Sequence, residues 1–518
     1  MLSLARKLAR INWVASRPDD SAVTRTDYDE VPYPGHAHAE THPNRLAAVA
    51  RLFGLDAPGV ETARVLEIAC GDGGNLIPIA YSLPRSRCVG FDLSATAVAR
   101  AQERLGRLQL ANTAIQVADL AAVRAAGEFD YVIAHGLYSW VPQALRDALL
   151  ALVRDSLSST GVAFVSYNVY PGWHAGRMVR EMLRYHTRGI DDAASRVTQA
   201  RALLDFLVVA HDAHDAYGRL LAAECERITK HSTGHLYHDD LADVNDPVYF
   251  HEFVAHAASF GLAFLAEADF STMTGAGLPE AAHAKLDELR GDPVVHGQYL
   301  DFVKCRRFRE TLLRHVTAPA AKSPIPGGVR TLLVASAAIS GSQPVDLGAD
   351  VEIQFRWGER ASLKTDHPLA KAAFVTLRER WPEPVPFDAL VVSACALLGR
   401  AACIEDADAL ERLLLDAFAL RMVELTAERW GCVVMPGDRP RASALARLEA
   451  EASDVVTTLA HRRVRIDEPL ALRLLRLCDG TRDAHTLAAD LISEGHRVDL
   501  AGLQQRLEGF GKIALLEG

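Results

Sequence analysis

The period of apolar residues changes several times along the chain, and each change marks an element. Arg64–Ile68 is a short apolar run that carries Glu67 near its end and gives way to a glycine-rich turn, after which helix-like sequence starts at Leu76. A second run, 88–93, holds Asp92, and residues 95–110 follow with helical spacing. Residues 112–117, 127–134 and 161–168 read as three more strands, with a helix over 142–157 before the last. Strands that alternate with helices predict a parallel sheet covered on both faces. Right-handed crossovers then gather the strand carboxyl ends on one edge, where ligands of such sheets bind.

Beyond residue 190 the pattern becomes helical to about 230. An amphipathic helix over 250–260 stops at Gly261, and runs 262–270 and 298–306 read as two further strands. Residues 316–328 (VTAPAAKSPIPGG) have no apolar period and mark a linker. Past it, a set of short helices with a terminal strand occurs twice, opening at Pro368 and at Pro469 and joined near Arg439 and Pro440, which suggests two winged-helix-like folds. Ahead of the sheet, the basic amphipathic stretch 2–14 is expected to dock as a helix. Residues 20–45, rich in Asp, Tyr, Pro and His, cannot be regular helix. Helix resumes over 46–53 and stops at Gly54. Such a restrained aromatic segment is placed to cover a ligand at the strand tips.

The 518 residues exceed one ordinary core and give a prior of about three domains. A formal net charge of −10 argues against a broad nucleic-acid-binding surface. No apolar run is long enough to span a bilayer. The eight cysteines form no C-x-x-C and suggest reduced thiols in a cytoplasmic protein. His235, His238 and His251 lack cysteine partners or an HExxH arrangement, so no metal site is expected.

The glycine spacing selects the chemistry. A dinucleotide site wants G-x-G-x-x-G. Here the run is Glu67-x-Ala69-x-Gly71-x-Gly73, which resembles the E/D-x-G-x-G-x-G motif of class I S-adenosylmethionine (SAM) methyltransferases, with Ala69 in the first glycine's place. Glu67, Ala69, Gly71, Gly73 and Asn75 are then expected around the methionine part of SAM. Asp92 and Leu93 are expected at the ribose, where an acid about twenty residues on suits a diol. Asp119 and Leu120 are expected at the adenine, with Asp119 also able to cap the following turn. The two closing runs complete the methyltransferase sheet as its antiparallel edge, which makes 191–245 an insertion.

Methyl transfer from a sulfonium is an in-line displacement in which positioning supplies much of the acceleration. A lysine amine must first lose a proton. The fourth and fifth strands end in polar aromatic loops. Tyr138, Trp140, Tyr167 and Trp173, with Tyr33 from the covering segment, are expected to wall a narrow channel for an amine acceptor. Tyr167, Asn168 and His135 are the catalytic candidates, and His135 is also expected at the cofactor.

Several runs together carry a wider resemblance. They are Tyr28 to Tyr33, Thr41-His42-Pro43, Leu66 to Asn75, Gly127 to Tyr131, His135 to Pro142, Ser166-Tyr167-Asn168, Tyr170 to Trp173, His235 to His238 and Val248 to Phe253. The chain resembles bacterial methyltransferases that carry a methyltransferase regulatory domain, whose best-known members methylate lysines of outer-membrane proteins and end in a winged-helix domain. The resemblance implies SAM, N-methylation of protein lysines and dimers. It divides the chain into a cofactor-covering segment (1–45), a class I methyltransferase core (46–190), a helical regulatory insertion (191–245), the end of the sheet (246–315), and winged-helix-like domains over 329–438 and 441–518. Two other readings compete: a small-molecule methyltransferase whose insertion is a lid, and a regulatory protein that binds through its winged-helix modules.

Overall fold

The computed structural model describes residues 27–518 apart from 32, 34, 125, 126, 213, 214, 343 and 360. The amphipathic stretch 2–14 lies outside the described residues. Seven strands form one sheet in the order β3-β2-β1-β4-β5-β7-β6. They are β1 (Arg64–Ile68), β2 (Arg87–Asp92), β3 (Thr113–Val117), β4 (Phe129–Ala134), β5 (Leu157–Asn168), β6 (Leu262–Glu267) and β7 (Phe308–His315). The first five are parallel, and β7 runs antiparallel between β5 and β6. This is the mixed sheet of the class I methyltransferase fold, with a helical block, Ala193–Val209 and Ala216–Thr229, inserted between β5 and β6.

One strand was misplaced by the sequence. Residues 298–304 belong to the helix Pro293–Lys304, and the closing strand starts at Phe308. Asp292 caps that helix by accepting from the amides of Val294 and Val295, with Pro293 in its first turn. A short apolar run cannot be assigned by period alone, and the cap ahead of it was the better signal.

Helices α1 (Pro43–Leu52), α2 (Leu76–Ser82) and α3 (Ala95–Leu108) cover one face of the sheet. Their core is continuous with that of the next domain: Leu46, Val49 and Ile133 share a cluster with Phe374, Leu390 and Leu414. Residues 316–328 are accordingly stitched down, Ala321 N donating to Phe53 O and Ile325 N to Leu52 O, each at 2.8 Å. The other face packs on Gln143–Ser156 and Phe250–Ser259. Past residue 329, helices Pro368–Arg380, Phe387–Leu397 and Ile404–Ala419 pack with a three-stranded sheet that includes Glu424–Thr426. The last domain has its own core, helices Pro469–Leu477, Ala484–Ser493 and Leu500–Lys512, and a hairpin of Val455–Thr457 with Arg463–Arg465.

Candidate functional site

β1 delivers the chain into a turn in which Ala69, Gly71 and Gly73 all have positive φ (57°, 55° and 74°). A Cβ on Gly73 would sit 2.8 Å from Ile77 Cδ1 and 2.9 Å from Ile115 Cδ1, so the turn must be bare there. Asp92, at the tip of β2, accepts from Gly71 N and Ser94 N, each at 2.8 Å. The acid expected at the ribose thus also fixes the turn to its neighbouring strand. Each carboxylate oxygen keeps a further lone pair for a ligand hydroxyl.

Glu67 is 4 % exposed. Its Oε1 accepts from Asn75 Nδ2 at 2.8 Å, while its Oε2 is buried with no partner among the described residues. Burial pushes this carboxyl up to about 8, against the Asn75 hydrogen bond and helped by the charges of Asp92 and Asp72. Burial raises Asp92 as well. An orphaned acid oxygen beside two more acids fits a ligand that brings positive charge, as the ammonium and sulfonium of SAM do. It disfavours the doubly anionic pyrophosphate of a dinucleotide.

The segment ahead of α1 lies over this turn. Asp29 Oδ1 accepts from Ser94 Oγ and Thr96 Oγ1, each at 2.6 Å, at the start of α3. A Cβ on Gly74 would come within 2.3 Å of the Gly35 backbone. His38 N donates to Asn75 Oδ1 at 2.9 Å, and the His38 ring stacks on His135 at 3.6 Å. Tyr33 packs its ring against His235 (4.9 Å) and His238 (5.9 Å), joining the cover to the helical insertion. Burial lowers His38 and takes His135 down to about 4, so these rings stack as neutral imidazoles. Asn75 Oδ1 also meets His461 of the last domain, at 3.0 Å.

The remaining expected residues scatter. Leu93 is exposed at the tip of β2. Asp119 is exposed and caps the following turn through Ala121 N (2.9 Å), beside a buried Leu120. The aromatic wall is not formed as expected. Tyr167 alternates with Ala163 and Val165 into the far core; it is 0 % exposed and stacks on Phe253 at 3.9 Å. Its hydroxyl bonds Thr311 Oγ1 at 2.8 Å. Tyr138 is buried in the same core with its Oη 2.8 Å from His256 Nδ1. Burial raises both phenols. Strand alternation sends the Tyr167 ring away from the mouth, and the 3-10 turn Tyr138–Trp140 packs Tyr138 into the same core, directions that loop composition does not reveal. Trp173 is clamped between the guanidiniums of Arg227 and Arg307 (5.6 and 5.4 Å) rather than lining a channel. Trp140 is partly buried, its Nε1 without a partner among the described residues. Asn168 donates from Nδ2 to Asn245 Oδ1 (2.9 Å) and from N to Ser139 Oγ (2.8 Å), tying the end of β5 to the residues after the insertion. Of the three catalytic candidates, His135 alone stands with the cover and the glycine turn.

The sequence reading gave no role to Phe308 and Glu310, which share a sheet face with Ser166 beside the His135 loop. Correct placement of β7 would have found them, since Phe308, Glu310 and Leu312 alternate. A cleft of about 530 Å³ opens between the sheet, α1 and the following domains. Glu40, Arg45, Asp269, Arg421, Glu424 and Arg462 give it a charged lining, with Trp357, Phe270 and Phe418 among its apolar parts.

Residues 65–161 match the methyltransferase domain family, residues 232–315 the predicted methyltransferase regulatory domain, and residues 438–506 the PKMT C-terminal winged helix domain. The chain is 30% identical over 484 residues to the uncharacterized protein RP789 of Rickettsia prowazekii, covering 91% of this chain and 87% of that one. The structure of PKMT2 from Rickettsia typhi aligns with 94% of this chain and 100% of that chain, at 26% identity and a TM-score of 0.83. Its complex with AdoHcy gives 25% identity and a TM-score of 0.84 over the same shares.

Proposed function

We propose that this chain methylates lysine side chains of a protein: it belongs to the family of SAM-dependent class I methyltransferases that carry a regulatory domain and a PKMT-type winged-helix domain. The family and cofactor leave the acceptor open. The charged, open cleft supports a macromolecule. A small metabolite would be better served by an enclosed apolar cavity beside the sulfonium, and the cleft is lined by acids and arginines from three parts of the chain. PKMT2, a protein-lysine methyltransferase, extends over nearly the whole of this chain, accessory domains included. The same full-length correspondence weighs against a purely regulatory protein.

SAM supplies a methyl group on a sulfonium, an intrinsically good leaving group. The chain's own residues would bind and orient it. Glu67, with its free Oε2, would pair with the ammonium of the methionine part, and the bare turn at Gly71 and Gly73 would let the backbone approach. Asp92 would take the ribose hydroxyls. Asn75 would hold Glu67 in place, and His38 over His135 would exclude water from the transfer point. A cytoplasmic location and a homodimer belong to the same proposal. Exposed Phe206 and Val209 on the helical insertion support the dimer, and light scattering on the purified chain tests it.

The single observation behind the lysine reading is the family-specific winged-helix domain on a methyltransferase core. Bacterial proteins incubated with isotope-labelled SAM and the purified chain should acquire label on lysine Nζ, read by mass spectrometry of peptides. Label confined to small molecules, or to residues other than lysine, overturns it.

A further inference from the structure

An acid outside the expected site residues stands on β7, the neighbour of β5 in the sheet. Glu310 of β7 pairs in register with Ser166 of β5. Ser166 Oγ in turn accepts from Gly136 N at 2.7 Å, in the loop that carries His135. Glu310 is therefore about one strand spacing, ~4.8 Å, from the pairing position beside that loop. Residues alternate along β7, so Glu310 shares its face with Leu312, which packs with Phe164 in the core around α1. Phe308 is on that face too, and its ring and that of Phe164 lie 6.2 and 6.0 Å from the His135 ring. From the other side come Glu40 of the covering segment, Asp269 and Glu267 at the end of β6, and Arg421 after the helix Ile404–Ala419. Glu40, Asp269 and Arg421 line the cleft.

Glu310 is partly buried, and its carboxyl makes no hydrogen bond among the described residues. Burial, with Glu40, Asp269 and Glu267 adding and Arg421 opposing, pushes it up to about 8. A partly buried carboxyl with no hydrogen-bond partner among the described residues, set among the charges of Glu40, Asp269 and Arg421 that line the cleft, offers both oxygens to a cation.

We propose that Glu310, with Glu40 beside it, is the ammonium-binding end of the acceptor channel, and that the Glu310 carboxylate removes the proton from the acceptor. This rests on the lysine reading above. The ammonium N–H bond breaks and its proton goes to a Glu310 oxygen. The freed nitrogen lone pair forms the bond to the methyl carbon as the C–S bond breaks, its electron pair staying on sulfur, and the positive charge ends on the methylated nitrogen. The alternatives are poorer bases. Against a lysine ammonium near ~10.4, a base near 8 works against a disadvantage of ~10²-fold, and His135 near 4 against ~10⁶-fold. Asn168 has no basic site, and the Tyr167 hydroxyl is in the far core.

The test uses the full chain with Glu310→Gln and Glu310→Asp. AdoHcy affinity, by calorimetry, should stay within about twofold in both variants, since the cofactor side is untouched. n-Butylammonium, titrated into the AdoHcy complex as a lysine side-chain analogue, should bind about tenfold to a hundredfold more weakly to E310Q, with part of the loss restored in E310D. In single turnover with a lysine-bearing substrate, the rate of the parent chain should rise as pH passes 8, and that rise should vanish in E310Q. Equal butylammonium binding by E310Q and the parent chain, or an unchanged pH profile, overturns the assignment. If no lysine is ever labelled yet E310Q still loses butylammonium, Glu310 remains an amine site and the protein-lysine reading falls. If lysine is labelled equally fast by E310Q, the reverse holds.

Discussion

His461 Nε2 lies 3.0 Å from Asn75 Oδ1, although 386 residues separate the two in sequence. Asn75 commits its amide nitrogen to Glu67, so its oxygen accepts and the imidazole donates. His461 is 1 % exposed and occupies the hairpin turn of the last domain at φ 55°. Burial takes it down to about 3, so it stays neutral across the working range. Neighbouring bonds fasten the same join: Asn44 exchanges two hydrogen bonds with the Glu428 backbone (2.9 and 2.7 Å), and Arg45 Nη1 donates to Ala460 O at 3.1 Å. The C-terminal region therefore completes the second layer of contacts around Glu67.

Replacing His461 with alanine should weaken AdoHcy binding by about 0.5–1.5 kcal/mol, because it removes one donor from Asn75 Oδ1, which keeps those of His38 N and Thr41 Oγ1. His461→Gln, which can place an amide N–H near the same point, should recover most of the loss. Calorimetry on both variants decides; an unaffected alanine variant would make the contact purely architectural.

Glu67 gives a pH prediction whose sign follows from its raised carboxyl. Its ordinary value is 4.5 and the folded value is about 8, so the folded, ligand-free chain favours the protonated form. The stability it contributes is full below 4.5 and is lost as pH rises toward 8. Glu67→Gln should therefore make the ligand-free protein more stable than the parent chain at pH 8 by up to a few kcal/mol, and little different at pH 4. Urea unfolding at the two pH values measures this. Binding of a cationic cofactor should also expel a proton near pH 7, visible as a buffer-dependent heat.

Asp92→Ala removes the acceptor of two backbone amides as well as the expected ribose partner. Both AdoHcy affinity and unfolding free energy should fall, each by about 1–3 kcal/mol. Loss of stability with unchanged affinity would assign Asp92 to the turn alone.

Tyr167→Phe should cost about 0.5–1.5 kcal/mol of stability through the lost bond to Thr311 and leave turnover nearly unchanged. A large fall in rate with unaltered melting would return Tyr167 to the chemistry.

Gly74→Ala should unseat the covering segment, since the new methyl meets the Gly35 and His36 backbone within 2.5 Å. Limited proteolysis ahead of α1 should become faster, with AdoHcy slowing it less than in the parent chain.

The order of strands and helices, the glycine turn and the acids at the tips of β1 and β2 were legible in the sequence because each rests on contacts within a few residues: strand alternation, turn glycines, a strand-end carboxylate. The family followed from short motifs for the same reason. Three things required the folded chain. Period-two alternation fixes opposite sides of a strand but not which side faces the ligand, so only packing could place Tyr167, and no period governs Tyr138 in its short 3-10 turn; packing put both in the core. The shift of β7 from 298–306 to Phe308–His315 moved Glu310 into view, because register depends on the partner strand. The bond from His461 to Asn75 joins parts of the chain that no local pattern relates; only burial of the C-terminal hairpin against α1 and the glycine turn brings them together.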